Sequence, residues 1–430
     1  MKASYHTLGC KLNFAETSAV GRILEARGVA RAGEGEIPDI CVVNTCAVTS
    51  MAEKKCRTLV RHLASAYPDA VIAVTGCYAQ LRPAELAAIE GVDVVLGTDE
   101  KLRAADFIDR FIASRRQVVE VTPAKEIAGF NPSCERGDRT RYFLKVQDGC
   151  DYFCSYCTIP YARGRSRSAT IAEIAEMARK AADEGAKEII LTGVNIGDFG
   201  KRNGEDFFSL VRELDRIEPI SRYRISSIEP DLLSEDLIKW VGRESRAFMP
   251  HFHIPLQAGT DEVLRIMGRR YGTDLFRSRI ELIREYIPDA FIGVDVIAGS
   301  RGETDELWRK SHAFIESLDV TRLHVFPYSE RPGTRALQLG GAVDNGEKHR
   351  RVAQLTELSE RKLAEFTRSQ IGKCRDVLWE RRRGDGMSHG LTDNYLRVAM
   401  KDDSVQVNTI SRVRLDAACG DTIIASPCDD

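Results

Sequence analysis

Between residues 142 and 326, strand-like and helix-like stretches alternate six times, which restricts the chain to a short menu of folds. The predicted strands are residues 142–147, 188–192, 222–226, 251–255, 291–297 and 321–326. Helical patterns separate them, including residues 171–184, 235–240 and 274–286. Consecutive parallel strands need crossover connections of about this length. Six such units predict a (β/α)6 partial barrel, with a doubly wound parallel sheet as the second choice. The same alternation occupies residues 1–120, with strands at 4–8, 39–44, 71–75 and 92–96 and helices at 15–27 and 51–66. It predicts a Rossmann-like parallel α/β domain ahead of the barrel. The chain from Gln117 to Asp138 holds two prolines and few periodic apolar positions and reads as a linker. A long charged amphipathic helix, residues 347–370, closes the second unit. From about Cys374 short strands at 377–380, 395–400 and 409–415 predict a small antiparallel β-barrel. The expected organisation is 1–120, a linker at 121–138, a core at 139–370 and a tail at 371–430.

With 43% hydrophobic and 29% charged residues, the 430-residue chain has the composition of a soluble globular protein. Its apolar runs are too short for a membrane span. Its first residues enter a strand without a signal peptide's apolar core. A cytoplasmic protein is expected, and there the 12 cysteines stay reduced, favouring metal-binding or catalytic roles over disulfides. The net charge of −2 gives no global sign of a nucleic-acid partner.

Cysteines carry the sharpest local signal. Cys150, Cys154 and Cys157 are spaced C-x3-C-x2-C. Composition alone would produce roughly 0.01 such triplets in a chain of this length. Three thiolates on one tight loop suit an iron–sulfur cluster and leave one iron of a cubane open. A zinc site would want a fourth ligand, and no Cys or His lies within ten residues of the triplet. Cys10, Cys46 and Cys77 form a second set. Each follows a predicted strand, and the carboxyl ends of parallel strands share one edge of a sheet. They too can converge on one point. Cys41 and Cys56 read as core, Cys134 lies in the linker, and Cys374, Cys419 and Cys428 share no ligand spacing.

The triplet is followed by Arg163, Arg165 and Arg167. From Arg139 to Ser168 six Lys/Arg face two Asp/Glu, a local charge of +4. Such a patch fits phosphate contacts with RNA, and Tyr156 and Tyr161 supply faces on which bases could stack. Arg381–Arg383 form a smaller patch, although residues 366–430 balance ten Lys/Arg against ten Asp/Glu.

The longer motifs resemble a known family. CDYFCSYCTIPYARGRSRS from Cys150, GCKLN at residues 9–13, VNTC at 43–46 and TGCYAQ at 75–80 resemble the radical S-adenosylmethionine (SAM) methylthiotransferases, almost end to end. The resemblance implies a methylthiotransferase domain, a radical SAM barrel and a TRAM-like tail. It implies two 4Fe-4S clusters, one on Cys150, Cys154 and Cys157 that chelates SAM and one on Cys10, Cys46 and Cys77 that carries sulfur for insertion. It places Thr192, Gly193 and Asn195 after the second barrel strand, Ser226 and Glu229 after the third, and Gln257 after the fourth, as SAM contacts. Three branches share this chemistry and differ in substrate: isopentenyladenosine in tRNA, an aspartate of a ribosomal protein, and N6-threonylcarbamoyladenosine (t6A) at tRNA position 37. GCKLN, DYF before Cys154 and YARGRSRS resemble the t6A branch. The implied partners are a tRNA anticodon stem-loop and an electron donor such as flavodoxin or ferredoxin. The sequence departs from the family at AGSRGET, residues 298–304, and at LQAG, residues 256–259. From a different class, a zinc-stabilised RNA-binding protein remains the alternative.

Overall fold

A computed structural model describes residues 1–136, 140–382, 384, 386–402 and 404–428. Arg139 and Arg383, members of the two basic patches, lie outside the described residues.

The first lobe runs β1 (Lys2–Thr7), α1 (Lys11–Ala26), β2 (Ala30–Arg31), β3 (Ile40–Thr45), α2 (Ser50–Ala66), β4 (Val71–Gly76), α3 (Cys77–Leu81), α4 (Pro83–Ala87), β5 (Val94–Leu96), α5 (Ala104–Ser114) and β6 (Val118–Glu120). Its six strands are parallel, in the order β2-β1-β3-β4-β5-β6. ICVVNT in β3 and VIAVTG in β4 are buried throughout, as expected of strands covered on both faces. Cys41, Val43, Ile72 and Val74 pack on the α2 side, while Val42, Ala73 and Val94 pack on the opposite face.

The second lobe opens with β7 (Ser133–Glu135), β8 (Tyr142–Lys145), β9 (Gln147–Asp148), α6 (Ile159–Arg163), β10 (Arg167–Ser168), α7 (Ile171–Asp183), β11 (Glu188–Thr192), α8 (Phe207–Asp215) and β12 (Arg222–Ile225). It continues through α9 (Glu235–Arg243), β13 (His251–Gln257), α10 (Asp261–Met267), α11 (Thr273–Tyr286), β14 (Phe291–Ala298), α12 (Asp305–Ser317), β15 (Arg322–Pro327) and α13 (Asn345–Gln370). Strands β8-β11-β12 and β13-β14-β15 form two parallel arcs. Bridges Tyr223–Phe248 and Ser227–His253 join them into the expected six-stranded open barrel. Leu144, Ile189, Leu191, Tyr223, Ile225, Phe252, Ile254, Ile292, Val294 and Leu323 pack under the helices. By strand alternation, Lys145, Glu188, Arg222, Arg224, His253, Asp295 and His324 face the interior.

The segment read as a linker is partly strand. Val118–Glu120 completes the first sheet as β6, and Ser133–Glu135 adds antiparallel to β8 as β7. Both strands are three residues long, too short to show a period.

The tail is a closed five-stranded barrel of β16 (Cys374–Arg382), β17 (Ser388–Thr392), β18 (Arg397–Met400), β19 (Ile410–Cys419) and β20 (Thr422–Pro427). Its β18–β20 pair is parallel and the others antiparallel. It sits over the amino ends of the large barrel's strands. There the buried Arg222 donates to the carbonyls of Leu391 (3.1 Å) and Asp376 (2.7 Å), and Arg224 to those of Asp393 (2.7 Å) and Thr392 (2.8 Å). Against the expectation of reduced thiols, Cys374 and Cys428 are disulfide-bonded, with Cα atoms 6.3 Å apart, pinning the end of the chain to the start of β16.

Candidate functional site

The first cysteine set occupies three neighbouring strand ends. Cys10 is the N-cap of α1, Cys46 follows β3, and Cys77 opens α3 directly after β4. Two glycines permit this crowding. Gly9 has φ +108°, and a Cβ there would stand 2.9 Å from the Cys46 Cβ. Gly76 has φ +101°, and a Cβ there would meet Asn44 Oδ1 and the Thr45 carbonyl oxygen at 2.4 Å. Asn13 holds the edge together, its Nδ2 donating to the carbonyls of Leu8 (2.9 Å) and Thr45 (3.1 Å). Cys56, read from sequence as core, is buried but backs the set, accepting from the Cys46 N–H at 3.4 Å. Burial pushes the Cys46 thiol up to about 12, and Cys77 and Cys10 add to the rise. Cys10 is solvent-accessible although protein surrounds it on most sides, so its thiol too is pushed up by burial, with Arg163 opposing.

The second set lies on the loop after β9. The Cys150 N–H bonds to the Gly164 carbonyl (3.1 Å), the Cys157 N–H to that of Cys154 (3.1 Å), and the Ser155 N–H to that of Met267 (2.8 Å). Phe153 adopts φ +50° to make the turn. Arg269 Nη1 donates to Cys154 Sγ at 3.2 Å, and the Tyr152 N–H to Cys150 Sγ at 3.4 Å. Burial pushes the Cys150 and Cys157 thiols up to about 12, and the neighbouring thiols add to it. Thiols that suppress one another's ionisation are the set that a bound metal centre reverses, since its charge favours thiolate. Among the described residues no three His, Cys, Asp or Glu side chains are placed to hold one metal ion.

The two trios are neighbours. Thr158, directly after Cys157, donates through Oγ1 to the carbonyl of Ala47, directly after Cys46, at 3.4 Å. Ser50 N–H bonds Ser329 Oγ at 3.1 Å, and Glu53 pairs with Arg331, closing α2 onto the barrel.

The residues expected to contact SAM lie on the carboxyl rim of the barrel. Gln147 Oε1 accepts from the N–H groups of Val194 (3.0 Å) and Asn195 (2.8 Å), and Gly193 packs so closely that a Cβ would come within 2.9 Å of the Gln147 carbonyl. Thr192 Oγ1 turns back to the Leu144 carbonyl at 3.2 Å. Asn195 Oδ1 is buried with no partner among the described residues, as are Thr260 Oγ1 and Ser300 Oγ. Ser226 is buried just beyond β12, and Gln257 ends β13 at a bulge with φ +69°. Glu229 pairs with Arg269, the arginine that reaches Cys154; burial pushes its carboxyl up to about 7, with Arg269 opposing. These rim atoms fit a polar cofactor beside the Cys150 loop. Sequence reasoning missed Arg269 and Asp231, which accepts from Tyr152 Oη at 2.5 Å. No local signal marks either residue.

Two of the three arginines expected to face RNA do not. Arg163 is 1% exposed. Its Nε donates to Cys77 Sγ (3.3 Å), Nη1 to Glu16 (2.9 Å) and Asp148 (3.0 Å), and Nη2 to Asn13 Oδ1 (2.8 Å). Arg167 is also buried, binding the carbonyls of Gly129 and Arg163 (2.6 Å each) and Asp148 Oδ2 (3.3 Å). Glu16 further binds Lys101 (2.5 Å) and Lys145 (2.9 Å). These side chains bond one another across the seam between the lobes rather than facing solvent. Only Arg165 stays exposed, over the Phe153 ring at 4.7 Å, with Tyr161 edge-on to Phe153 at 5.8 Å. Tyr156 is half-buried beside Arg269.

An open parallel barrel whose strand-end loop presents a cysteine triplet defines a radical SAM fold. Residues 144–315 match the radical SAM superfamily, and residues 2–97 match the uncharacterized protein family UPF0004. A solved radical SAM methyltransferase from Kitasatospora setae, with cobalamin and a 4Fe-4S cluster bound, superposes with a TM-score of 0.57 at 15% identity, over 78% of this chain and 76% of that one. Among curated relatives, a threonylcarbamoyladenosine tRNA methylthiotransferase MtaB from Bacillus subtilis is 36% identical, covering 96% of this chain and 93% of its own. One of the same name from Aquifex aeolicus is 33% identical, covering 93% and 96%. A tRNA-2-methylthio-N(6)-dimethylallyladenosine synthase from Pelotomaculum thermopropionicum is 31% identical, covering 95% and 94%. The chain belongs to the radical SAM methylthiotransferase family. Membership brings an iron–sulfur cluster and SAM.

Proposed function

We propose that this protein inserts a methylthio group at C2 of t6A at position 37 of tRNA, using two 4Fe-4S clusters. Cys150, Cys154 and Cys157 would hold the radical SAM cluster, and Cys10, Cys46 and Cys77 the auxiliary one. The observation that carries this reading is the Thr158–Ala47 hydrogen bond of 3.4 Å, which sets the two thiol trios side by side. Radical formation and sulfur delivery must meet at one carbon, and adjacent trios meet that need. Bound there, SAM and the clusters supply the one-electron chemistry and the sulfur.

The chain supplies placement. Arg269 directs an N–H at the sulfur of Cys154 and is itself oriented by Glu229. Asn195, Ser226, Glu229 and Gln257, with Ser300, offer polar atoms along the rim on the SAM side, while Thr192 and Gly193 shape the turn that presents them. Arg163 directs an N–H at Cys77. Arg165, Phe153 and Tyr161 form an exposed cationic and aromatic surface beside the site, suited to an RNA backbone and an unstacked base. The reaction requires a one-electron donor such as flavodoxin or ferredoxin and places the protein in the cytoplasm. No helix among the described residues is long and apolar enough to cross a membrane.

Nucleoside mass spectrometry of tRNA from a deletion strain tests the substrate. Loss of 2-methylthio-t6A, restored by the wild-type gene and not by Cys154→Ala, is expected. Persistence of 2-methylthio-t6A together with loss of a methylthiolated isopentenyladenosine would overturn the choice of branch.

A further inference from the structure

The barrel interior holds a polar group separate from both cysteine trios. β13, β14 and β15 present His253, Asp295 and His324, with Asp295 opposite His324 in the register. His253 Nε2 and Asp295 Oδ1 are 2.8 Å apart, and the His253 and His324 rings meet edge to face at 5.1 Å. Gly293 leaves room for them, since a Cβ there would lie 3.3 Å from His324 Nε2. The His253 and Asp295 side chains are 24% and 21% exposed, so this part of the interior is open to water.

The charges here do not balance. Asp295 is engaged by His253, whereas His324 has no hydrogen-bond partner among the described residues. Lys11, first residue of α1 and neighbour of Cys10, reaches inward, its ammonium 6.0 Å from the centre of the Tyr395 ring. That ring meets the His251 ring at 4.5 Å, and His251 lies two residues before His253 on β13. Lys11 has no carboxylate partner among the described residues, and neither has Arg322, which is exposed at the start of β15. Burial pushes the His324 imidazole down to about 4; His253, Arg322 and Lys11 add to the fall against Asp295. A half-open interior with an unpartnered ammonium and an unpartnered imidazole is costly to cover with an apolar group and favourable to an anion. Dimethylallyl on N6 would strand these groups, whereas threonylcarbamoyl ends in a carboxylate.

We propose that Lys11 and His324 form an anion subsite in the barrel interior, walled by the His253–Asp295 pair with the exposed Arg322 at its open edge, that takes the carboxylate of the substituent on N6 of the target adenine. This rests on the reading of the chain as a t6A methylthiotransferase and adds the residues that select the substrate. Lys11 ties selection to placement, since the side chain that grips the substituent adjoins a sulfur-site cysteine.

Binding without turnover tests it. Anticodon stem-loop hairpins carrying t6A, its carboxyl methyl ester or isopentenyladenosine are titrated against the reconstituted, unreduced enzyme by fluorescence anisotropy. Wild type should bind the acid about 10- to 100-fold more tightly than the ester, as the loss of a charge-assisted hydrogen bond predicts. In Lys11→Met and His324→Phe that preference should collapse towards onefold, and in Lys11→Arg it should persist. Iron content equal to wild type certifies that each variant is assembled. Equal binding of acid and ester by wild type, or an intact preference in Lys11→Met and His324→Phe, would overturn the anion subsite alone. Turnover of the isopentenyladenosine hairpin with none of the t6A hairpin would overturn the functional reading together with it.

Discussion

Arg163 donates through Nε to Cys77 Sγ at 3.3 Å while Glu16 and Asp148 hold its Nη1 at 2.9 and 3.0 Å. A side chain from α6, the helix after one cysteine trio, is thereby fixed against a cysteine of the other. Arg163→Met should leave buried acceptors on Glu16, Asp148 and Asn13 without this donor, at a cost of about 3 kcal/mol. The expected result is a lower urea midpoint with an unchanged slope. Arg163→Lys keeps the charge but cannot serve all these partners at once and should fall between Met and wild type.

Iron analysis separates the trios. Anaerobic reconstitution should give about eight irons per chain, from two four-iron clusters. The triple replacement of Cys10, Cys46 and Cys77 by Ala should give about four, and so should that of Cys150, Cys154 and Cys157. A wild-type content of about four, abolished by Cys154→Ala, would leave the first trio without a metal.

Glu135 gives a pH signature at the seam. Burial raises its carboxyl from the ordinary 4.5 to about 7, with Arg22 opposing. Between these values the folded chain holds the proton more tightly than the unfolded chain, so this contribution is full below about 4.5 and is lost as the pH rises through about 7. Urea unfolding of the apoprotein across this range should show stability falling with pH at this site, by no more than about 1.4 kcal/mol per pH unit. Glu135→Gln should flatten that component of the profile.

The arginines of one short run should separate into two behaviours. Arg165→Ala should weaken RNA binding and lower the salt slope of log Kd by about one. Tyr161→Ala should cost about 1–3 kcal/mol of binding if a base stacks there. Arg167→Ala should instead lower stability, because its partners are the Gly129 and Arg163 carbonyls and Asp148.

What was legible in the sequence was local. The Cys150 triplet declares itself by spacing within one loop, and Cys10, Cys46 and Cys77 by following strands whose period and composition are plain. What was hidden depends on distant partners. An arginine-rich run reads as surface because an isolated charge stays in water; Arg163 is buried only because Glu16, 147 residues away, meets it. Arg269 is 115 residues from Cys154. β17 escaped notice because its Gly390 weakens the strand pattern, yet glycine is required there: a Cβ would lie 2.4 Å from the Leu378 carbonyl.

The seam has a consequence for how the protein matures. Among the described residues, Lys101, Lys145, Arg163 and Arg167 are buried there against the carboxylates of Glu16 and Asp148. The newly made polypeptide therefore carries surplus positive charge at the joint between its lobes, and burial pushes the Lys101 ammonium down accordingly. On the proposed reading, thiolates formed at Cys77 and its neighbours as iron is loaded deliver the missing negative charge. Cofactor insertion then balances the charge at a joint that the chain has already closed.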